Sequence, residues 1–180
     1  MEDVLGVCQW PYNPAHPVIC VDEQPIQLHA EVREPIRAQP DRLERQDYEY
    51  RRNGVACAFM FIEPLGQWRR ITITETRTKK DWARQIQQLL EIDYPNAEKV
   101  ILVCDNLNTH VRGAFYEMFP PEQVRNLLSR LEIHYTPKHG SWLSIAGFEL
   151  SVLTCQCLSR RIPTIEALRG ETATWDRNRN

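Results

Sequence analysis

The sequence lacks any apolar run long enough to cross a membrane. Its apolar runs, such as residues 18–21 and 100–104, are far shorter than the ~20 residues that a spanning helix needs. The chain also lacks an excess of either charge, because 22 basic residues face 24 acidic ones and the net charge is −2. We therefore expect no membrane partner, and any contact with nucleic acid must depend on a local basic patch.

Cysteine pairs are also missing. Six cysteines are present, none of them in a Cys-x-x-Cys pair: Cys8, Cys20, Cys57, Cys104, Cys155 and Cys157. The first six residues are acidic and lack the apolar core of a signal peptide, so we expect a reduced, cytosolic protein. Cys155 and Cys157 would point about 200° apart on a helix, which makes them a poor pair of metal ligands.

Lysine is scarce, and arginine supplies most of the positive charge. Arginine suits bidentate contacts with phosphate, but it equally suits ion pairs between side chains. Small basic groups occur at residues 51–52, 69–70 and 79–80 and at Arg77. They are candidates for a face that follows a phosphate backbone, and a solvated face balanced by nearby acids is the alternative.

The pattern of apolar residues predicts an α/β chain of one domain. Strands are predicted at residues 18–21, 55–61, 68–74, 100–104 and 131–135. Helices are predicted at residues 78–94, at 112–131 with an interruption at the two prolines, at 142–158 and at 164–175. Three successive strands followed by alternating helices and strands indicate a mixed sheet of about five strands flanked by helices.

The remaining segments carry little periodicity. Residues 1–17 hold three prolines and predict an extended arm. Residues 25–54 combine prolines with many charges, and they predict a long irregular segment that ends in a turn at Asn53-Gly54. We therefore expect an arm over 1–17, a main domain over 18–160, and a C-terminal helix over 161–180.

Two acids stand directly after buried strands. Asp22 follows residues 18–21 and Asp105 follows residues 100–104. If these strands are adjacent and parallel, the two carboxylates converge at one edge of the sheet and repel each other. A divalent cation such as Mg²⁺ or Mn²⁺ would relieve that repulsion. The alternative is that each Asp only caps a turn.

Three stretches of the sequence are distinctive: Val-Asp-Glu at 21–23, Cys-Asp-Asn-Leu-Asn-Thr-His at 104–110, and Tyr-Thr-Pro-Lys-His-Gly-Ser-Trp-Leu at 135–143. They resemble the catalytic core of the DDE transposases, most closely the mariner-related branch of bacterial insertion sequences. Residues 47–54 and 61–64 are also similar to that branch, and the resemblance covers nearly the whole chain. It implies a ribonuclease H-like catalytic domain that cleaves and transfers DNA strands.

The resemblance also implies a site and a cofactor. Asp22 and Asp105 match the first two acids of the catalytic triad, which binds Mg²⁺ or Mn²⁺, two ions if the site is intact. DNA-binding or site-supporting roles are implied for Asn106, His110, Lys138, His139 and Trp142. The alternative for Trp142 is a place in the hydrophobic core. We expect His134 to be a surface or edge residue. The three histidines at 110, 134 and 139 fit no standard zinc spacing.

The third acid is where the sequence departs from the family. The family has Asn and then Glu where this chain has Ser144 and Gly147. Glu149 is the candidate replacement, but two residues along a helix turn a side chain by about 200°. Glu149 should therefore face away from Asp22 and Asp105. Glu23 is no better placed, because neighbouring side chains of a strand point to opposite faces.

The ends of the chain also differ from the family. Relatives carry helix-turn-helix segments before the core and more polypeptide after it, so we expect a C-terminal helix truncated relative to the family. The DNA-binding part is then encoded separately or lost. We expect as partners the element ends, the target DNA, and further copies or a helix-turn-helix subunit, in the bacterial cytoplasm near the nucleoid. The alternatives are a catalytically dead remnant that binds DNA or a partner subunit, and a ribonuclease H-type nuclease outside transposition.

Overall fold

The computed structural model describes residues 2–34, 36, 38–43, 45, 47–137 and 144–179. The strands in these ranges are β1 (Val18–Glu31), β2 (Tyr50–Glu63), β3 (Trp68–Thr74), β4 (Val100–Cys104) and β5 (Leu131–Tyr135). The helices are α1 (Glu2–Cys8), α2 (Lys79–Gln88), α3 (Gly113–Tyr116), α4 (Pro121–Ser129), α5 (Ile145–Gln156) and α6 (Ile165–Arg179). No helix of the described part has the length and apolar character that a membrane span requires.

The strands form one mixed sheet in the order β3-β2-β1-β4-β5. Strands β1, β2 and β3 are antiparallel neighbours, whereas β1, β4 and β5 run parallel. The predicted succession of strands and helices and the mixed five-stranded sheet are confirmed. Strand β4 lies between two neighbours and all five of its residues are buried, which explains its unbroken apolar sequence.

Helices cover both faces of this sheet. Cys20 and Val103 face the side covered by α1, α5 and α6. Ile19 and Leu102 face the opposite side, where α2, α3 and α4 pack. Alternate residues of the central strands therefore enter two different cores, as the pleat of a strand requires. The resulting rigid frame fixes the backbone positions of Asp22, inside β1, and of Asp105, directly after β4.

Helix α2 begins and packs as its sequence predicts. The Thr78 hydroxyl accepts a hydrogen bond from the Asp81 N–H, and the Asp81 carboxylate accepts one from the Thr78 N–H. This reciprocal capping box satisfies two donors that the first helical turn would leave free. Trp82 and Ile86 of the apolar face are fully buried. The helix continues as a π-helical turn over Leu89–Asp93.

The predicted extended arm is wrong for residues 2–8, which form helix α1. Val4 and Val7 lie three residues apart, so one helical face carries both, and both are buried in the core with α5 and α6. Glu2 and Asp3 lie in the first turn, where negative charge favours a helix. The expected arm therefore contributes part of the core.

The predicted irregular segment over 25–54 is wrong at both ends. Strand β1 continues through Pro25 to Glu31, and β2 already begins at Tyr50. Strand β4 pairs with β1 only up to Cys20, so Pro25 has a strand neighbour on one side alone, where proline is tolerated. Gly54 lies inside β2 with φ of +93°, beside a register shift, and forms a bulge instead of the predicted turn.

Candidate active site beside two parallel strands

Asp22 and Asp105 lie at the same edge of the sheet on adjacent parallel strands. Cys20 of β1 is paired with Val103 of β4, and each Asp lies two residues further along the chain. Asp105 directly follows the last residue of β4, as expected, but Asp22 does not end its strand, because β1 continues to Glu31. Both acids therefore follow the rigid centre of the sheet in the same register. This is the strand geometry that the sequence predicts, while the roles of the two acids stay predictions.

The environments of the two carboxyl groups shift their pKa values in opposite directions. Burial raises the pKa of Asp22, and the negative charges of Asp105 and Glu23 raise it further, against a hydrogen bond from the Glu23 N–H. The pKa of Asp105 is held below its ordinary value, chiefly by a hydrogen bond from His110. Environments that separate the pKa values of neighbouring carboxyls are typical of catalytic sites.

His110 connects Asp105 to a second buried acid. Its Nδ1 lies 2.8 Å from Asp105 Oδ1, and its Nε2 lies 2.8 Å from Glu23 Oε1. Burial alone would lower the pKa of His110, but hydrogen bonds with Asp105, Cys104 and Glu23 outweigh it and raise that pKa to about 12. Both ring nitrogens of His110 therefore lie beside carboxyl oxygens, one from Asp105 and one from Glu23.

Gly147 faces Asp22 from the first turn of α5. A Cβ atom placed on Gly147 would lie 3.0 Å from Asp22 Oδ2. An open cleft of about 450 Å³ adjoins this point, and its lining is Asp22, Glu23, Gln24, Gly147, Leu150, Ser151, Thr154 and Cys155. The position at which the resemblance predicts a third acid therefore faces Asp22, but Gly147 brings no side chain there.

Glu149 lies on another side of α5. Its two carboxylate oxygens accept hydrogen bonds from Arg179 Nη2 at 2.9 and 3.1 Å, and Arg69 Nε lies 3.7 Å from Oε2. The side chain is only 14% exposed. Glu149 therefore binds α6 and β3 together and is absent from the lining of the cleft.

Other predicted site residues fall in different places. Asn106 is exposed directly after Asp105. Lys138, His139 and Trp142 lie outside the described residues.

His134 lies on the edge strand β5, within ion-pair distance of Asp3 and Glu132, as expected for an edge residue.

The expected phosphate-tracking face loses two of its arginines. Arg70 is buried, and its Nε lies 3.0 Å from Asp93 Oδ2. Arg69 pairs with Glu149. Both guanidinium groups are therefore used inside the fold, because two acids from neighbouring elements reach them. Sequence reasoning also assigned no role to Glu23, whose partner His110 lies 87 residues away along the chain.

The comparisons with known proteins agree with this geometry. Residues 17–169 match the family described as DDE superfamily endonuclease. The match covers most of the chain, and the chain therefore belongs to the DDE superfamily endonucleases. No protein among the curated ones matches it.

Several solved structures of the mariner transposase Mos1 share the fold. The Mos1 strand transfer complex has a TM-score of 0.63 at 13% identity, covering 97% of this chain and 50% of that chain. The Mos1 mariner paired-end complex with Mn has a TM-score of 0.63 at 14% identity, covering 98% and 52%. The corresponding complex with Mg has a TM-score of 0.57 at 17% identity, covering 97% and 52%. The likeness confirms the predicted ribonuclease H-like fold, and the chain spans about half the length of these neighbours.

Proposed function

We propose that this chain is the catalytic core of a DNA transposase whose acid site is weakened by Gly147. The observation that carries the proposal is the convergence of Asp22, Asp105 and position 147 at one edge of the sheet. In the proposed reaction, water attacks a phosphodiester at the element end, and the freed 3′ hydroxyl then attacks the target DNA. Element ends and target DNA are the proposed substrates.

The donor set fits one divalent cation better than two. No group of three or more His, Cys, Asp or Glu side chains suited to a metal ion exists within the described ranges. Asp22 and Asp105 still offer two carboxylates, and Mg²⁺ is often bound by one or two carboxylates together with phosphate oxygens. Two of the Mos1 neighbours are complexes with Mn and with Mg. A bound divalent ion would supply stabilisation of the charge on the attacking and leaving oxygens.

The chain's own residues prepare the two carboxylates for this task. Strands β1 and β4 fix the backbone positions of Asp22 and Asp105, and the contact with His110 lowers the pKa of Asp105. Asp22 remains beside the open cleft, where a DNA strand could enter. A complete site would add a third carboxylate from position 147, and its absence is expected to weaken a second ion.

The proposed partners are further copies of this chain or a separately encoded helix-turn-helix subunit. A protein that acts on these DNA substrates would work beside the nucleoid of a bacterial cell. Mos1, the structural neighbour, forms paired-end and strand transfer complexes. The shared fold supports, for this chain, a similar complex with element-end DNA.

A second candidate function is that of a catalytically dead remnant that binds DNA or a transposase subunit. The observation that favours it is the engagement of Glu149 with Arg69 and Arg179, which leaves Gly147 without a substitute. Such a remnant would keep the fold and the DNA contacts while losing the chemistry.

Nicking of a supercoiled plasmid tests the proposal and separates it from this alternative. We expect no nicking by the natural chain with Mg²⁺, a trace with Mn²⁺, and loss of that trace in Asp105→Asn. Retention of DNA without any nicking in Mn²⁺ would favour the remnant. Nicking that survives Asp105→Asn would contradict the acid site.

A further inference from the structure

Glu23 is a buried acid that has no assigned role in the acid site. It directly follows Asp22 on β1, its side chain is 3% exposed, and it points to the face of the sheet opposite Asp22. Burying a carboxylate is costly unless it is paired and hydrogen-bonded. Its partners should therefore reveal what the residue does.

The first partner is the ring of His110, which contacts the side chains of Glu23, Asp105 and Trp82. Nε2 lies 2.8 Å from Glu23 Oε1, and Nδ1 lies 2.8 Å from Asp105 Oδ1. The indole of Trp82 stacks on the ring at 5.4 Å between centroids and 28° between planes. The His110 side chain is only 1% exposed. A rotation of the ring would break both carboxylate contacts in a place that water does not reach.

The second partner is Arg77, whose Nε lies 3.6 Å from Glu23 Oε2. The four side chains form a row in which basic and acidic groups alternate, from Arg77 through Glu23 and His110 to Asp105. Its last member is one of the two carboxylates of the acid site. The row therefore connects a residue on the far face of β1 to the end of β4.

We propose that Glu23 is a positioning residue for Asp105, acting through His110. Glu23 fixes the imidazole ring, and the ring in turn fixes Asp105, whose Oδ1 lies 2.8 Å and whose backbone carbonyl oxygen lies 3.2 Å from His110 Nδ1. The inference rests on the proposed function, because it assigns Asp105 to the cation. Removing a residue that hydrogen-bonds to a metal ligand commonly weakens metal binding by about 10- to 100-fold.

The matched control is Glu63, another buried acid on a neighbouring strand. Its carboxylate accepts a hydrogen bond from the Tyr94 hydroxyl at 2.9 Å, and it lies outside the acid site. Glu23→Gln and Glu63→Gln each remove one buried negative charge at nearly constant volume. A merely structural role would make the two variants alike in metal binding.

Two measurements on the full chain test the inference. The first is NMR of the metal-free natural protein, in which both ring N–H protons of His110 should give downfield, exchange-protected signals. The second is Mn²⁺ binding followed by electron paramagnetic resonance. We expect Glu23→Gln to lose the Nε2–H signal and to weaken Mn²⁺ binding by at least about tenfold. Glu63→Gln should keep the signals and the affinity of the natural protein.

The outcomes are distinguishable. Equal Mn²⁺ affinity in Glu23→Gln and the natural chain overturns the positioning role, and so does an equal loss in both variants. Absence of the protected His110 signals from the natural protein overturns the pairing itself, whether or not the variants fold. If the signals are present but Mn²⁺ does not bind the natural chain, the metal site of the proposed function fails, and the purpose assigned to Glu23 fails with it.

Discussion

Glu149→Gln tests whether Glu149 is a structural residue or the missing third acid. The substitution keeps the size of the side chain and one acceptor oxygen, but it removes the negative charge. In the structure that charge bridges Arg179 of α6 and Arg69 of β3. We therefore expect the variant to loosen the attachment of α6 and to leave the acid site unchanged.

The geometry sets the size and the sign of the effect. Arg179 makes two charged hydrogen bonds to a carboxylate that is largely buried, and such bonds are each worth about 1.5–3 kcal/mol. Glutamine keeps part of this interaction, so we expect a loss of about 1–2 kcal/mol. In a chain of this size that loss lowers Tm by about 2–8 °C. A carboxylate facing Asp22 and Asp105 would behave in the opposite way, because its neutralisation would relieve repulsion and raise Tm.

Thermal unfolding of the metal-free protein, with and without Mn²⁺, is the assay. The control is Glu171→Gln, which breaks an exposed ion pair with Arg160 and should change stability little. Glu149→Gln should destabilise the protein equally in both conditions. A rise in Tm in the metal-free protein, together with loss of Mn²⁺ binding, would refute the reasoning and identify Glu149 as the third acid.

Two further predictions concern stability and DNA binding. Burial raises the pKa of Asp22 in the folded protein, so its ionisation destabilises the fold at neutral pH and this cost disappears as the pH falls below the ordinary Asp value. Asp22→Asn should therefore raise Tm at pH 7 by about 2–4 °C for each kcal/mol of stability recovered. Urea unfolding should show that this gain in the free energy of unfolding becomes smaller as the pH is lowered. A gain that becomes larger in acid would contradict the prediction. Phosphate contacts carry no sequence information, so the affinity of this chain for duplex DNA should be weak, equal for element-end and random sequences, and steeply reduced by salt. Tight, sequence-selective binding in such titrations would contradict this prediction and show that the chain contains a recognition element for DNA.

Much of the site could be predicted because it depends on local patterns. An unbroken apolar run such as Val100–Cys104 is typical of a strand covered on both faces, and an acid directly after it is expected at the end of that strand. The orientation of position 147 follows from the period of a helix, once the resemblance indicates which residue carried the acid. These inferences needed no knowledge of distant contacts.

The parts that could not be predicted depend on tertiary contacts. Nothing near Glu23 in the sequence identifies His110 as its partner, because the fold alone brings β1 and the loop after β4 together. Helix α1 has only Val4 and Val7 to indicate one face, too few for a periodic signal. The extension of β1 carried a usable alternation at Ile26 and Leu28, but Pro25 and the surrounding charges concealed it.

The central claim is that the acid site is complete except at position 147. Its most direct test is Mg²⁺-dependent nicking by Gly147→Glu with Ser144→Asn, beside Gly147→Gln with Ser144→Asn and the natural chain. The new side chain would start 3.0 Å from Asp22 Oδ2, so a shift of a few tenths of an ångström accommodates it. A restored electrostatic stabiliser should raise the rate by about 10² to 10³ in the Glu variant alone. Equal rates in the Glu and Gln variants, or robust nicking by the natural chain, would contradict the account.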